Sequence, residues 1–126
     1  MILRVVEVNP EEDKIIWEYT ESPPVSFYSF HLSSADRLTN GNTFICEGAY
    51  GRLFEITMEG KIVWEFVNPF LSPDMKFDYL TNMVFRAHKY STGYAAFDGK
   101  ELDPSAYASI NKTYIGGVKR HGLIIA

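Results

Sequence analysis

Arg86 and His88, two residues apart in a run of apolar and aromatic side chains, are the pair in this sequence best spaced for chemistry. If residues 83–90 form an extended strand, both side chains leave on the same face, and a fixed cation beside an imidazole is a geometry that holds an oxyanion. The neutral His88 imidazole is also a nucleophile. The same pair fits a structural role, with Arg86 bound to a neighbouring carboxylate and His88 in a half-buried position. His31, among Phe27, Tyr28 and Phe30, is a second candidate. At a channel mouth it would accept a phenolic proton as a general base; at a strand edge it would do no chemistry. His121, beside Arg120, is the third histidine and lies near the end of the chain.

Other chemistries find little support. The histidines are too widely separated for a metal-ligand pattern, and Glu11-Glu12-Asp13 reads as a solvated turn, so neither a metal nor a cofactor is expected. Ser33-Ser34 lacks the glycine setting of a hydrolase nucleophile, and Gly48-Ala49-Tyr50-Gly51 lacks the lysine of a phosphate loop. The single cysteine, Cys46, lies in an apolar run and reads as a small buried hydrophobe, without an internal disulfide partner.

These side chains need a scaffold, and composition predicts one built of strands. The chain has 126 residues, 46% hydrophobic and 22% charged, enough to bury a core. Aromatic residues make up 15% and are spread along the chain among Val and Ile, which favours many short strands. A net charge of −4 argues against a nucleic-acid partner. No apolar run approaches membrane-spanning length, and the N-terminus reads as a strand rather than a signal peptide. A complete chain would therefore be expected in the cytoplasm; a fragment could have lost a signal and act outside it.

An internal repeat organises these strands. Arg4-Val5-Val6-Glu7-Val8 recurs as Arg52-Leu53-Phe54-Glu55-Ile56, and Lys14-Ile15-Ile16-Trp17-Glu18-Tyr19 recurs as Lys61-Ile62-Val63-Trp64-Glu65-Phe66, with a turn one residue shorter in the second copy. The period is that of a propeller blade, and alternation at period two excludes a helical solenoid. Trp17 and Trp64 recur at one blade position, as packing residues between blades must. Asn40-Gly41 predicts a tight primed turn joining two further strands, which would complete a first four-stranded unit with the strands around residues 9–13. Residues 71–80 read as a loop, 83–90 as a strand, Asp103-Pro104-Ser105 as a short helical turn, and Gly116-Gly117 as a break before the last apolar run.

The stretch Asp36-Arg37-Leu38-Thr39-Asn40-Gly41-Asn42-Thr43-Phe44-Ile45-Cys46-Glu47-Gly48, continued through Gly51-Arg52-Leu53-Phe54 and Gly60-Lys61-Ile62-Val63-Trp64-Glu65 to Asn68-Pro69, resembles the C-terminal blades of arylsulfotransferase-like β-propellers. The resemblance spans about residues 5–90. It implies an all-β chain of two antiparallel four-stranded-type blades, about 1–50 and 51–90, followed by an irregular extension over 91–126. It also implies transfer of a sulfuryl group from an aryl sulfate to a phenol through a histidine. Arg52 then falls where that family binds sulfate, Ser33 stands where its active members carry a histidine before the hairpin, and His88 is the remaining candidate nucleophile. The expected ligand contacts are Arg52, Arg86 and His31, and the expected partner is an aryl sulfate or another small anion. A non-catalytic blade module for binding or assembly is the alternative, and exposed sheet edges predict self-association in either case.

Overall fold

A computed structural model describes residues 3–73 and 79–108. Among the described residues eight strands pair antiparallel in three sheets: β1 (Val5–Asn9) with β2 (Lys14–Tyr19); β3 (Ser33–Arg37), β4 (Thr43–Glu47), β5 (Arg52–Ile56) and β6 (Ile62–Val67) in that order; and the two-residue β7 (Ser72–Pro73) with β8 (Leu80–Thr81). The helical elements are short 3-10 turns at Pro24–Ser26, Gly48–Tyr50, Ala95–Phe97 and Pro104–Tyr107. The described residues are therefore mostly antiparallel strands with almost no helix, in line with the all-β character expected from composition.

The sequence repeat is reproduced strand for strand. Glu7 pairs with Trp17 and Val6 with Glu18 in the first hairpin; Glu55 pairs with Trp64 and Phe54 with Glu65 in the second. Both ladders even shift register at one point, between Glu7 and Val8 and between Glu55 and Ile56. An ion pair repeats as well: Arg4 binds Glu18 at 3.0 Å, and Arg52 binds Glu65 at 2.5 Å.

The turns differ from the primed type predicted for Asn40-Gly41. Leu38 N–H donates to the Asn42 carbonyl at 2.8 Å and Gly41 N–H to the Leu38 carbonyl at 3.0 Å. Gly41 is left-handed, at φ 88°, and Asn40 is not. A primed turn needs positive φ at both central residues, so this is instead a three-residue loop closed by one left-handed glycine. The β5–β6 loop closes the same way on Gly60. In the longer β1–β2 loop Asp13 takes the left-handed position, which a short polar side chain tolerates.

Face-to-face packing of the two larger sheets forms the core. Tyr19, with partly buried Leu3, Val5 and Trp17, lies against Phe27, Ile45, Phe54 and Ile56. Central strand β4 is buried at every residue because both of its faces are covered. Ile45 meets the first sheet, while Phe44 meets Trp64 and Cys46 lies under Val84 on the other side. Burial pushes the Cys46 thiol above its ordinary range, as expected of an inert core residue. Gly48 sits between two crossing chains: a Cβ there would meet the Leu32 carbonyl oxygen at 2.0 Å and that of Val84 at 2.2 Å.

Strand grouping departs from the expected units. The hairpin around Asn40-Gly41 pairs with β5 rather than with the first hairpin, so the four-stranded sheet runs across the boundary expected near residue 50. Residues 83–90 carry no strand, so the period-two argument for Arg86 and His88 sharing a face does not apply. Their backbone joins no ladder; the segment starts from one backbone bond, in which Val84 N–H donates to the Gly48 carbonyl at 2.9 Å. Asp103 caps the turn predicted beside it by accepting from Ser105 N–H at 2.9 Å. Part of the 71–80 loop, the glycine pair at 116–117, and Arg120 with His121 lie outside the described residues.

Candidate functional site

Residues 84–94 cross the β4–β6 face and end against the Asn40-Gly41 turn, enclosing an open cleft of about 510 Å³ lined by Asp36, Arg37, Asn40, Glu55, His88, Lys89, Tyr90 and Tyr94, among others. Two contacts set the path of this segment. Lys89 Nζ bonds Glu55 Oε2 at 2.5 Å and lies 4.5 Å from the centre of the Trp64 ring. Tyr90 and Tyr94 pack with ring centres 4.6 Å apart and planes tilted by 38°, and Phe97 closes edge-on against Tyr94.

The Lys89 arrangement has a counterpart one unit earlier. Arg37 bonds Glu7 and lies 4.6 Å from the centre of the Trp17 ring. Glu7 and Trp17 are cross-strand partners, as are Glu55 and Trp64. Each hairpin therefore offers a carboxylate and an indole face to one cation from the chain that follows it, a contact that combines an ion pair with a cation–π interaction. Trp17 is thus a packing residue at a junction, and its Nε1–H also donates to the Met58 carbonyl at 2.8 Å.

Within the cleft, His88 Nδ1 lies 3.5 Å from Asp36 Oδ2, with both side chains partly exposed. The contact is longer than the usual hydrogen bond, but it places a carboxylate beside one ring nitrogen, the neighbourhood in which an imidazole can be oriented as a base or nucleophile. Sequence reading missed Asp36, whose only signal was its place at the end of β3, close in space to residue 88 but far in sequence. Glu55, also missed, is nearly buried and anchors the Asn40-Gly41-Asn42 turn, accepting from Asn42 Nδ2 at 2.6 Å and Asn40 Nδ2 at 3.1 Å.

Burial by itself would raise the Glu55 carboxyl, but hydrogen bonds from Lys89, Asn42 and Asn40 hold it below its usual range. A carboxyl depressed in the folded state adds stability above its unfolded pKa of about 4.3 and loses it as pH falls through the folded value. Glu55→Gln is therefore expected to lower stability at pH 7, with the gap to the parent chain shrinking below about pH 4.3. Urea titrations monitored by circular dichroism at several pH values check this; a constant gap would show that ionised Glu55 does not hold the turn.

Arg52 is placed elsewhere, among three carboxylates. Its guanidinium grips both oxygens of Glu21, at 2.8 and 3.0 Å, and bonds Glu65 at 2.5 Å and Glu47 at 3.2 Å. Burial opposes its charge, but bonds to Glu21 and Glu65 outweigh this and raise its pKa further. Glu47 is the deepest of the three acids; burial raises its pKa although Tyr28 N–H and Arg52 both bond it. Beside the cluster, the Tyr19 hydroxyl is pushed up to about 12 by burial and then by the Glu21 carboxylate. Arg52 thus organises an ion cluster at the sheet-to-sheet interface, with four of its five N–H groups committed to carboxylates and its single charge outweighed by three acids.

The four residues singled out from sequence are not gathered at one site. His88 lines the cleft; Arg86 is exposed and does not line it; His31 is exposed and its ring lies tilted against Phe30 with centres 4.1 Å apart; Arg52 lies in the carboxylate cluster. Among the described residues no helix is long and apolar enough to cross a membrane. Compared with family models, curated proteins and solved structures, the chain matches none, so the reading of this cleft rests on its own residues.

Proposed function

We propose that this chain is a section of a β-propeller, built from consecutive repeat units, that works as a binding module and not as a transferase. The cleft beside His88 would receive a small aromatic anion such as an aryl sulfate. Engagement of Arg52 by three carboxylates carries this reading, because it removes the cation that sulfuryl transfer would use to stabilise the moving group. Tyr90 and Tyr94 supply aromatic surface, and His88 supplies a donor at the cleft wall. The formal charges of Asp36, Glu55, Arg37 and Lys89 cancel, so a ligand would be held mainly by stacking and hydrogen bonds.

Equilibrium dialysis with 4-nitrophenyl sulfate tests the reading. Binding without turnover is expected, weakened about tenfold in His88→Ala, the loss of roughly one charge-assisted hydrogen bond. No binding by the parent chain, or equal binding by the variant, would sink it.

A second reading is favoured by the His88–Asp36 pair. With Nδ1–H turned to Asp36, Nε2 would attack sulfur as the S–O bond to the aryl group breaks and aryloxide leaves. A phenol would then take the sulfuryl group from Nε2 and give up its proton. Phenol-dependent release of 4-nitrophenol that disappears in His88→Ala would establish this reading instead.

A further inference from the structure

The inter-sheet interface inside the chain is directional. Unit one presents Val5, Trp17 and Tyr19; unit two receives them on Phe54 and Ile56, both fully buried, and on Ile45. The repeat register carries each set onto its counterpart. The presenting face of unit two is Leu53, Trp64 and Phe66, and the receiving face of unit one is Val6, Val8 and Ile15, because these occupy the ladder positions of Phe54, Ile56 and Ile62. Val6, Val8 and Ile15 are exposed, at 39%, 48% and 48%.

The presenting face of unit two is only partly covered. Residues 84–89 lie over it with Lys89 on Trp64, as Arg37 of β3 lies on Trp17. Val84 and Leu32 flank Gly48 from two sides, and the spacing from Leu32 to Val84 equals that from Arg37 to Lys89. Residues 84–89 thus stand where the first strand of a third unit would stand, while Leu53, Trp64 and Phe66 stay only half-buried. At the same offset the positions of Phe54 and Ile56 fall on Ala106 and Ala108, where the chain forms the 3-10 turn Pro104–Tyr107 instead of a strand, after further turns at residues 91–97.

We propose that a second copy of this chain docks head to tail, laying Val6 and Val8 of its β1–β2 hairpin against Phe66 and Trp64 beside residues 84–89. This rests on the repeat-unit reading above. The contact repeats the one that already joins the two sheets within the chain, with the smaller valines in the places of Phe54 and Ile56. It is a face contact rather than pairing of free sheet edges. Its two surfaces differ, so each copy keeps one of each and association continues until a ring closes or a filament grows.

Light scattering coupled to gel filtration on the full chain is the test. A mass above one chain is expected for the parent, a single-chain mass for Val8→Arg and for Phe66→Arg, and a one-to-one complex when these two variants are mixed, since each retains the surface the other lacks. A single-chain mass for the parent at high concentration overturns the proposal. So does a Phe66→Arg variant that remains associated, as edge pairing through β1 would give. Val8→Arg changes an exposed side chain; if Phe66→Arg fails to melt cooperatively, Leu53→Lys replaces it in the mixing experiment. Dialysis with 4-nitrophenyl sulfate reads the cleft separately, so a single-chain protein that still binds this ligand rejects the docking and leaves the binding module standing.

Discussion

Arg52→Ala is expected to lower the unfolding free energy by about 3–5 kcal/mol, the loss typical when one partner of a buried ion cluster is removed. Three carboxylates, Glu21, Glu47 and Glu65, would be left around one vacated position, with the Glu47 side chain only 4% exposed. Without the cation the Glu47 carboxyl, already raised by burial, would be lifted further above its unfolded value. A raised carboxyl contributes stability that is full below its unfolded pKa and is lost as pH rises through the folded value, so the deficit of the variant should be largest at neutral pH and shrink in acid. Arg52→Lys should recover little, because an ammonium cannot grip both Glu21 oxygens while reaching Glu65 and Glu47. Urea unfolding followed by tryptophan fluorescence at pH 7 and pH 4 measures both differences. A loss below about 1 kcal/mol, the scale of a surface ion pair, would mean that the cluster is solvated and Arg52 is available to a ligand.

Phe54→Ala is expected to cost about 3–5 kcal/mol, the range for truncating a buried aromatic side chain. Phe54 has no exposed surface, meets the Phe27 ring edge-on at 5.8 Å and the Tyr19 ring at 6.2 Å, and carries the Arg52 guanidinium 4.3 Å above its own ring. Its counterpart Val6 occupies the same ladder position but is 39% exposed. Val6→Ala should therefore cost under about 1 kcal/mol in the single chain. Thermal and urea unfolding of both variants gives the contrast. Equal losses would show that the two receiving faces are covered alike, which is the outcome expected if a second copy already occupies Val6 at the protein concentration used; dilution should then restore the difference.

The repeat was the most readable part of this protein. A one-residue slip turns every side chain to the other face of a strand, so matched spacings around Trp17 and Trp64 determined two hairpins with the same register. Residues 83–90 were misjudged as a strand from a short run of apolar and aromatic residues in which only Arg86, Ala87 and His88 alternate. Periodicity reports which residues share a face only once a neighbouring strand supplies hydrogen bonds, and here the next segment turns away at residues 91–97. The Asn40-Gly41 turn was placed correctly, but its type was not, because the side chains of Asn40 and Asn42 are both drawn onto Glu55.

From sequence alone came the strand-rich composition, the duplicated hairpins and the recurrence of a tryptophan at one position of each, all properties of spacing within some fifty residues. Tertiary structure alone decided what the charged residues do. Arg52 and His88 look equally available in one dimension, yet Arg52 is surrounded by acids from β4, β6 and the segment after β2, whereas His88 meets a single aspartate at the rim of an open cleft. Whether a cation is spent or free depends on partners brought together by sheet packing across large separations in sequence, and burial gives those long-range contacts their energetic weight.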